Sequence, residues 1–321
     1  MIFYLFANCF SALSGVVNKY FIKNGYYDPN VQMLDVTFHA NIYNVIFYFT
    51  LYFYFYRKNE IAFSIKNTFF QKQQIWQVLL FAIPIYASAY KILMFQKMPI
   101  SYVEISSMIK PFCVFFLALF LLKEKFYPSF LIYIFIAISG FLLSNFDKIY
   151  NSGFNGTNSD LFKIIYFIAI ASIGDITRRY YCKKWDNAMH SICVEVVVFA
   201  FYGLLWLSIS NRFSLNTLLN PCTLLYAIIT FSHHICVILG VQRAKSVSAL
   251  EIVNFSKLVF SLVFCYLILG EEQTYKRIFG ALIILTSILI FNFHRKILNK
   301  NNKFNKNGNN DKKDCQQNNI H

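Results

Sequence analysis

Residues 101–110 read SYVEISSMIK and residues 248–257 read SALEIVNFSK. Laid over one another, Ser101, Glu104, Ile105 and Lys110 fall on Ser248, Glu251, Ile252 and Lys257, a shift of 147 positions. The same shift carries Glu124 onto Glu271 and Asn145-Phe146 onto Asn292-Phe293, so about 46 residues match without a gap. A shared register of that length is the mark of a duplicated structural unit.

The unit is built for a bilayer. Of 321 residues 57% are hydrophobic, 19% aromatic and only 14% charged, a composition foreign to a water-soluble chain. A span needs about 20 mostly apolar residues to cross about 30 Å of hydrocarbon. Ten such runs lie near 2–21, 36–56, 75–95, 100–122, 127–146, 161–177, 188–209, 222–242, 247–269 and 277–294. The first run lacks a basic leading region and a small-residue cleavage site, so it reads as a helix and not a signal peptide. The repeat joins spans three to five with spans eight to ten. At a shift of 160, Lys19-Tyr20-Phe21 with Lys23 resembles Arg179-Tyr180-Tyr181 with Lys183, which brings in the front spans.

The expected fold is therefore an all-α polytopic membrane protein of ten transmembrane helices in two inverted five-helix repeats. Residues 1–146 form the first repeat, 147–160 a connecting loop, 161–294 the second repeat and 295–321 a disordered basic tail. Five is odd, so equivalent helices cross the membrane in opposite directions, as in many secondary carriers. Span four then enters from the outer face, with Glu104 about 6 Å deep and Lys110 about 15 Å deep at 1.5 Å per residue. Span nine enters from the opposite face, with Glu251 near the inner mouth and Lys257 again near the midplane.

Basic residues set the sidedness. Of the 30 Lys and Arg, 19 fall on the side that holds both termini, including Arg178 and Arg179, and 8 on the other; Lys91, Lys110 and Lys257 lie within spans. Both ends are expected in the cytoplasm, with the tail near anionic headgroups. Asn155-Gly156-Thr157 matches a glycosylation acceptor in an outer loop, meaningful only in a secretory-pathway membrane. The net charge of +15 comes without a zinc spacing or an aromatic-basic groove motif, so no nucleic acid partner is expected. The eight cysteines are scattered through apolar stretches without a CxxC pair and read as small buried hydrophobes. No phosphate-cradling Gly loop, GxSxG or HExxH is present, so no enzyme is expected.

A lysine at the bilayer centre costs roughly 2.5 to 3.5 kcal/mol on insertion scales and must face protein or water. Lys110 and Lys257 either converge on a central cavity that holds the carboxylate or phosphate of a substrate, or are neutralised within the bundle by Glu104, Glu251 or Asp175. Glu104 and Glu251 either gate the two mouths or carry a coupling proton, or are hydrogen-bonded carboxylates near helix ends. Asp175 and Glu195 are further cavity candidates. His233 and Tyr86, related by the 147 shift, either line the path or pack the bundle. Lys91 reads as a snorkelling residue. Adjacent His233 and His234 diverge by about 100° on a helix and lack a third ligand, so neither a metal nor a cofactor is expected. Pro84 and Pro111 can free backbone carbonyls at mid-membrane depth.

Pro111-Phe112 through Leu122-Lys123-Glu124 and the span to Asn145, with the copy ending Leu269-Gly270-Glu271 before Gly280-Ala281-Leu282-Ile283, resemble the two repeats of the drug/metabolite transporter superfamily, EamA type. The resemblance implies ten helices, a cavity lined by spans one to four and six to nine, peripheral spans five and ten, and alternating access. Gly15-Val-Val-Asn18-Lys19-Tyr20 and Gly174-Asp175-Ile176 with Arg178-Arg179 are similar to carriers that import S-adenosylmethionine in intracellular bacteria. Asn254-Phe-Ser-Lys257 partly resembles the ninth span of phosphate-ester and nucleotide-sugar exchangers, although the Arg expected next is Leu258. The Phe, Tyr, Ile, Asn and Lys richness agrees with an AT-rich genome of an intracellular bacterium.

The expected activity is secondary transport of a small polar metabolite with an anionic or zwitterionic group, amino-acid-like, across a bacterial inner membrane. Its partners are the metabolite, the lipid bilayer and a coupling proton or counter-substrate. A phosphate-ester or nucleotide-sugar exchanger is the nearest alternative, and a non-transporting membrane scaffold is the alternative of another class.

Overall fold

The computed structural model describes residues 1–28, 30–57, 80, 82–84, 86, 87, 90, 100–123, 128–144, 146, 158–184, 188–244 and 248–294; at 55–57, 100–108, 158–161, 183, 184, 188–190, 248 and 249 this covers the backbone alone. Every regular element among them is helical. In chain order these are α1 (Ile2–Lys23), α2 (Met33–Arg57), α3 (Ile100–Leu121), α4 (Pro128–Ser144), α5 (Asn158–Lys184), α6 (Ala188–Ile209), a short α7 (Leu215–Leu219), α8 (Pro221–Gln242), α9 (Ser248–Asn254), α10 (Ser256–Leu269) and α11 (Tyr275–His294). Described positions between 82 and 87 are helical too, within the expected third span. The rest of that span, Lys91, the 147–157 loop with its Asn155 acceptor and the tail from 295 lie outside the described residues.

Local chemistry sets the ends. α1 stops where Gly25 turns left-handed (φ 71°), which lets Tyr26 N–H reach the Phe21 carbonyl (3.0 Å) and Gly25 N–H the Ile22 carbonyl (3.2 Å). α8 starts at Pro221 behind Asn220, whose side chain accepts from Cys222 N–H at 2.8 Å.

Four runs among the described residues are long and apolar enough to cross a membrane: Ser191–Ile209, Pro221–Gln242, Leu250–Leu269 and Tyr275–His294. Large apolar side chains such as Phe120, Phe201, Leu267, Leu289 and Phe293 point outward from the bundle. An outer surface of that kind suits hydrocarbon and not water. α1 packs against α8, α9 and α10, α3 against α5, and α2 against α6 and α8. Tyr4, Arg179, Gly240 and Glu251 meet at one end of the bundle, while Lys19 with Glu271 and Asp35 with Arg212 meet at the other.

α4 and α11 run antiparallel in close contact. Phe130 meets Phe291 edge to face at 5.1 Å, Ser287 donates to the Tyr133 carbonyl (2.7 Å), Gly140 abuts Gly280, and Ser144 donates to the Arg277 carbonyl (3.1 Å). Adding 147 to Phe130 gives Arg277, and subtracting it from Phe291 gives Ser144. The same operation turns the Gly140–Gly280 contact into Ser287–Tyr133. Each contact thus occurs twice, as a two-fold axis between the helices would require.

Two features depart from the sequence reading. The sixth run is expected at 161–177, with Arg178 and Arg179 among the loop cations beyond it; α5 instead carries both into the bundle, where carboxylates meet them. The ninth run stays helical through Phe255 (φ −63°, ψ −20°) but tightens there between α9 and α10. Leu258 N–H there closes a tighter turn onto the Phe255 carbonyl (3.1 Å), and the Asn8 amide donates to the Val253 carbonyl (2.8 Å).

Candidate functional site

The segment Gly174-Asp175-Ile176-Thr177-Arg178-Arg179 of α5 sends three charges in different directions, because successive residues of a helix diverge by about 100°. Asp175 faces α3, where Lys110 Nζ lies 2.6 Å from its Oδ2. Arg178 faces α6 and grips Glu195 with two nitrogens, Nε at 2.8 Å from Oε2 and an Nη on Oε1. Arg179 faces α9 and pairs with Glu251, while its other Nη donates to the Tyr4 hydroxyl at 2.8 Å. Gly174 permits this docking: a Cβ there would sit 2.9 Å from the Pro84 backbone.

Neighbours complete the shells of the two fully buried carboxylates. Glu195 takes a third bond from His234 Nδ1 on α8, and Glu251 one from the Asn254 amide at 3.2 Å. Such satisfaction is what lets an ion pair survive out of water. His39 is also committed, between the Asp35 carbonyl (2.7 Å) and Ser214 N–H (3.1 Å), and fastens the α6–α7 connection to α2.

Lys257 differs. It is solvent-accessible in the middle of the α9–α10 pair, makes no hydrogen bond or ion pair among the described residues, and lies in electrostatic range of Lys110 and Asp175. Among the described residues of this cluster four cations, Lys110, Arg178, Arg179 and Lys257, face three carboxylates, Asp175, Glu195 and Glu251. An ammonium outside these pairs has the chemistry to take an added anion.

A cavity of about 490 Å³ opens among α2, the third span, α5 and α6. Phe38, Tyr86, Tyr166, Ile173, Tyr202 and Trp206 give it an apolar, aromatic wall. Its wall is almost wholly apolar, and Tyr86, Tyr166 and Ile173 in it are exposed.

The residues singled out from the sequence distribute as follows. Lys110, Asp175, Glu195, Glu251, Lys257 and His233 belong to one interior cluster. Glu251 is buried on Arg179 at one end of the bundle. Tyr86 lines the aromatic cavity. The Glu104 side chain lies outside the described residues. His233 and His234 part company, His233 Nδ1 turning to the Ala7 carbonyl (2.8 Å) and His234 to Glu195. Among the described residues no group of three or more His, Cys, Asp or Glu could hold a metal ion.

Sequence reading missed Arg178, Arg179, Tyr4, Asn8 and His234 as interior polar residues. The matched register of Lys19 and Arg179 was a usable signal for Arg179 alone.

No family model matches the chain, and no curated protein matches it. Among solved structures, one described only as "Crystal structure of protein" is similar over 90% of this chain and 98% of its own, with 11% identical residues and a TM-score of 0.67. At that identity the likeness speaks for the fold alone.

Proposed function

We propose that the chain is a secondary transporter of ten spans in two inverted halves, which moves a small polar metabolite bearing an anionic or zwitterionic group. Both termini face the cytoplasm, and the membrane is the inner membrane of a bacterium. The observation that carries the reading is Lys257, an accessible cation without a partner among the described residues, in a helix apolar and long enough to span a membrane. The exchange symmetry of the α4–α11 contacts supports inverted halves, since equivalent helices there run antiparallel.

Alternating access follows from the same register. Arg179 joins Glu251 across one end of the bundle and Lys19 joins Glu271 across the other. Exchanging the halves, with shifts of 160 and 147, turns the first pair into Lys19 with Glu104 and the second into Arg179 with Glu124. Both new pairs are of opposite charge. Each cation therefore has a second carboxylate to meet when the halves rock to the opposite-facing state.

The test is uptake into liposomes loaded with a panel of amino acids, S-adenosylmethionine, sugar phosphates and nucleotide sugars. Saturable uptake or exchange by the wild type, lost in Lys257→Ala, is the expected result. Folded protein with no flux across the panel favours a scaffold, and flux restricted to phosphate esters favours the exchanger reading.

A further inference from the structure

His233 and Lys257 stand at one level of the bundle. Adjacent residues of α1 hold them there: Ala7 through its carbonyl, 2.8 Å from His233 Nδ1, and Asn8 through its amide, which reaches Val253 and, at 3.2 Å, the Ser256 hydroxyl next to Lys257. The two side chains are in electrostatic range of one another.

The contact with Ala7 fixes the chemistry of the imidazole. A carbonyl oxygen only accepts, so Nδ1 carries the hydrogen and in the neutral ring Nε2 presents a lone pair. Nε2 has no partner among the described residues, nor is it one of the buried unpaired polar atoms, so it is open. Lys257 offers three donors and no acceptor. Within electrostatic range of one another, the two present a positive donor and a fixed acceptor.

Among the described residues the first half has no such pair. Lys110 is closed on Asp175, and the 147 shift places Tyr86, a phenol in the wall of the aromatic cavity, on His233. Both groups left open thus come from the second half.

A ligand that satisfies both groups carries a carboxylate and an N–H or O–H donor on neighbouring atoms. A plain carboxylate leaves Nε2 unused, and a fully ionised phosphate ester turns its oxygens against the lone pair. We propose that His233 is a specificity-determining residue, and that the substrate is an α-amino or α-hydroxy acid whose carboxylate is held by Lys257 and whose amino or hydroxyl group donates to His233 Nε2. This rests on the carrier reading above.

The test uses purified full-length protein and matched triplets of acids that share a skeleton: leucine, 2-hydroxy-4-methylpentanoate and 4-methylpentanoate, with the corresponding phenylalanine and methionine sets. Binding is read by ligand-induced thermal stabilisation. The wild type is expected to bind the amino or hydroxy member of at least one set ten-fold or more tighter than the bare acid. His233→Gln, which can donate to Ala7 and still accept, keeps the preference; His233→Phe loses it while retaining weak carboxylate binding that Lys257→Ala abolishes. Equal binding of all three members by the wild type, or a preference that survives in His233→Phe, overturns the inference. Saturable uptake of other solutes with no binding of any triplet overturns it too, and leaves the carrier reading standing.

Discussion

Lys110 lies 2.6 Å from Asp175, whereas Lys257, its equivalent in the second repeat, meets no carboxylate at contact distance among the described residues. The shift of 160 that places Lys19 on Arg179 places Gly15 on Asp175, so the position that should supply the second carboxylate has no side chain. Gly15 is accessible, and a Cβ built there meets nothing within 4 Å. The duplicated halves thus differ at this position, a carboxylate in one and an accessible glycine in the other.

Gly15→Asp is expected to supply the carboxylate that exchange of the halves would pair with Lys257. Uptake of the transported solute falls at least ten-fold, because the substrate must displace a carboxylate already present at high effective concentration. Gly15→Asn, of the same size and without the charge, loses far less. Both should unfold near the wild-type temperature in detergent. Equal loss of uptake in the two variants would show that bulk, and not charge, is what matters at this site.

The Arg179–Glu251 pair predicts a stability pattern. Its side chains are 4% and 0% exposed, so Glu251→Ala leaves a buried guanidinium without its counter-charge, at about 3–5 kcal/mol. Replacing both partners, Arg179→Met with Glu251→Leu, should recover most of the loss, because no charge then remains to be solvated. Lys257→Met, which breaks no pair, should leave the midpoint of thermal unfolding within a few degrees of wild type. A double variant no more stable than Glu251→Ala would contradict this account.

The helices could be read from the sequence because hydrocarbon tolerates little besides apolar runs, and nine of the ten expected runs overlap a described helix. The interior charges at Lys110, Glu195, Glu251 and Lys257 stood out for the same reason. Arg178 and Arg179 did not: a cation at a helix end looks alike whether it faces water or a carboxylate contributed by a helix many residues away. The tightened turn at Phe255 was also hidden. Pro111 marks the weak point of the matching span in its own sequence, since proline cannot donate to the carbonyl four residues back. Phe255 carries no such mark, and the Val253 carbonyl beside it takes an amide from Asn8, 245 residues away.

That amide can be tested alone. Asn8→Leu keeps the bulk and removes the donor, which leaves the Val253 carbonyl buried without its partner. The expected cost is about 1–3 kcal/mol, the usual penalty for an orphaned buried polar group. Since Asn8 also steadies Ser256 beside Lys257, the Michaelis constant for uptake should rise more than the maximal rate falls. Unchanged stability would mean that another group already serves the Val253 carbonyl.

The crossing of α4 and α11 depends on two glycines that a methyl group would separate. A Cβ on Gly280 would lie 2.6 Å from Ser144 N, and one on Gly140 would lie 2.7 Å from the Gly280 carbonyl oxygen; both obstacles are backbone and cannot rotate away. Alanine in a helix gains up to about 1 kcal/mol over glycine, while overpacking costs about 1–3 kcal/mol. The clash should win at Gly280 and the propensity at Gly15, where the space is open. Gly280→Ala is therefore expected to lower the unfolding midpoint in detergent, and Gly15→Ala to hold or raise it. The Gly280→Ala loss should not be recovered by Gly140→Ala, since each methyl meets the opposing main chain independently. A Gly280→Ala protein as stable as wild type would mean that α4 and α11 can slide apart freely, and that their two-fold contact does not constrain the halves.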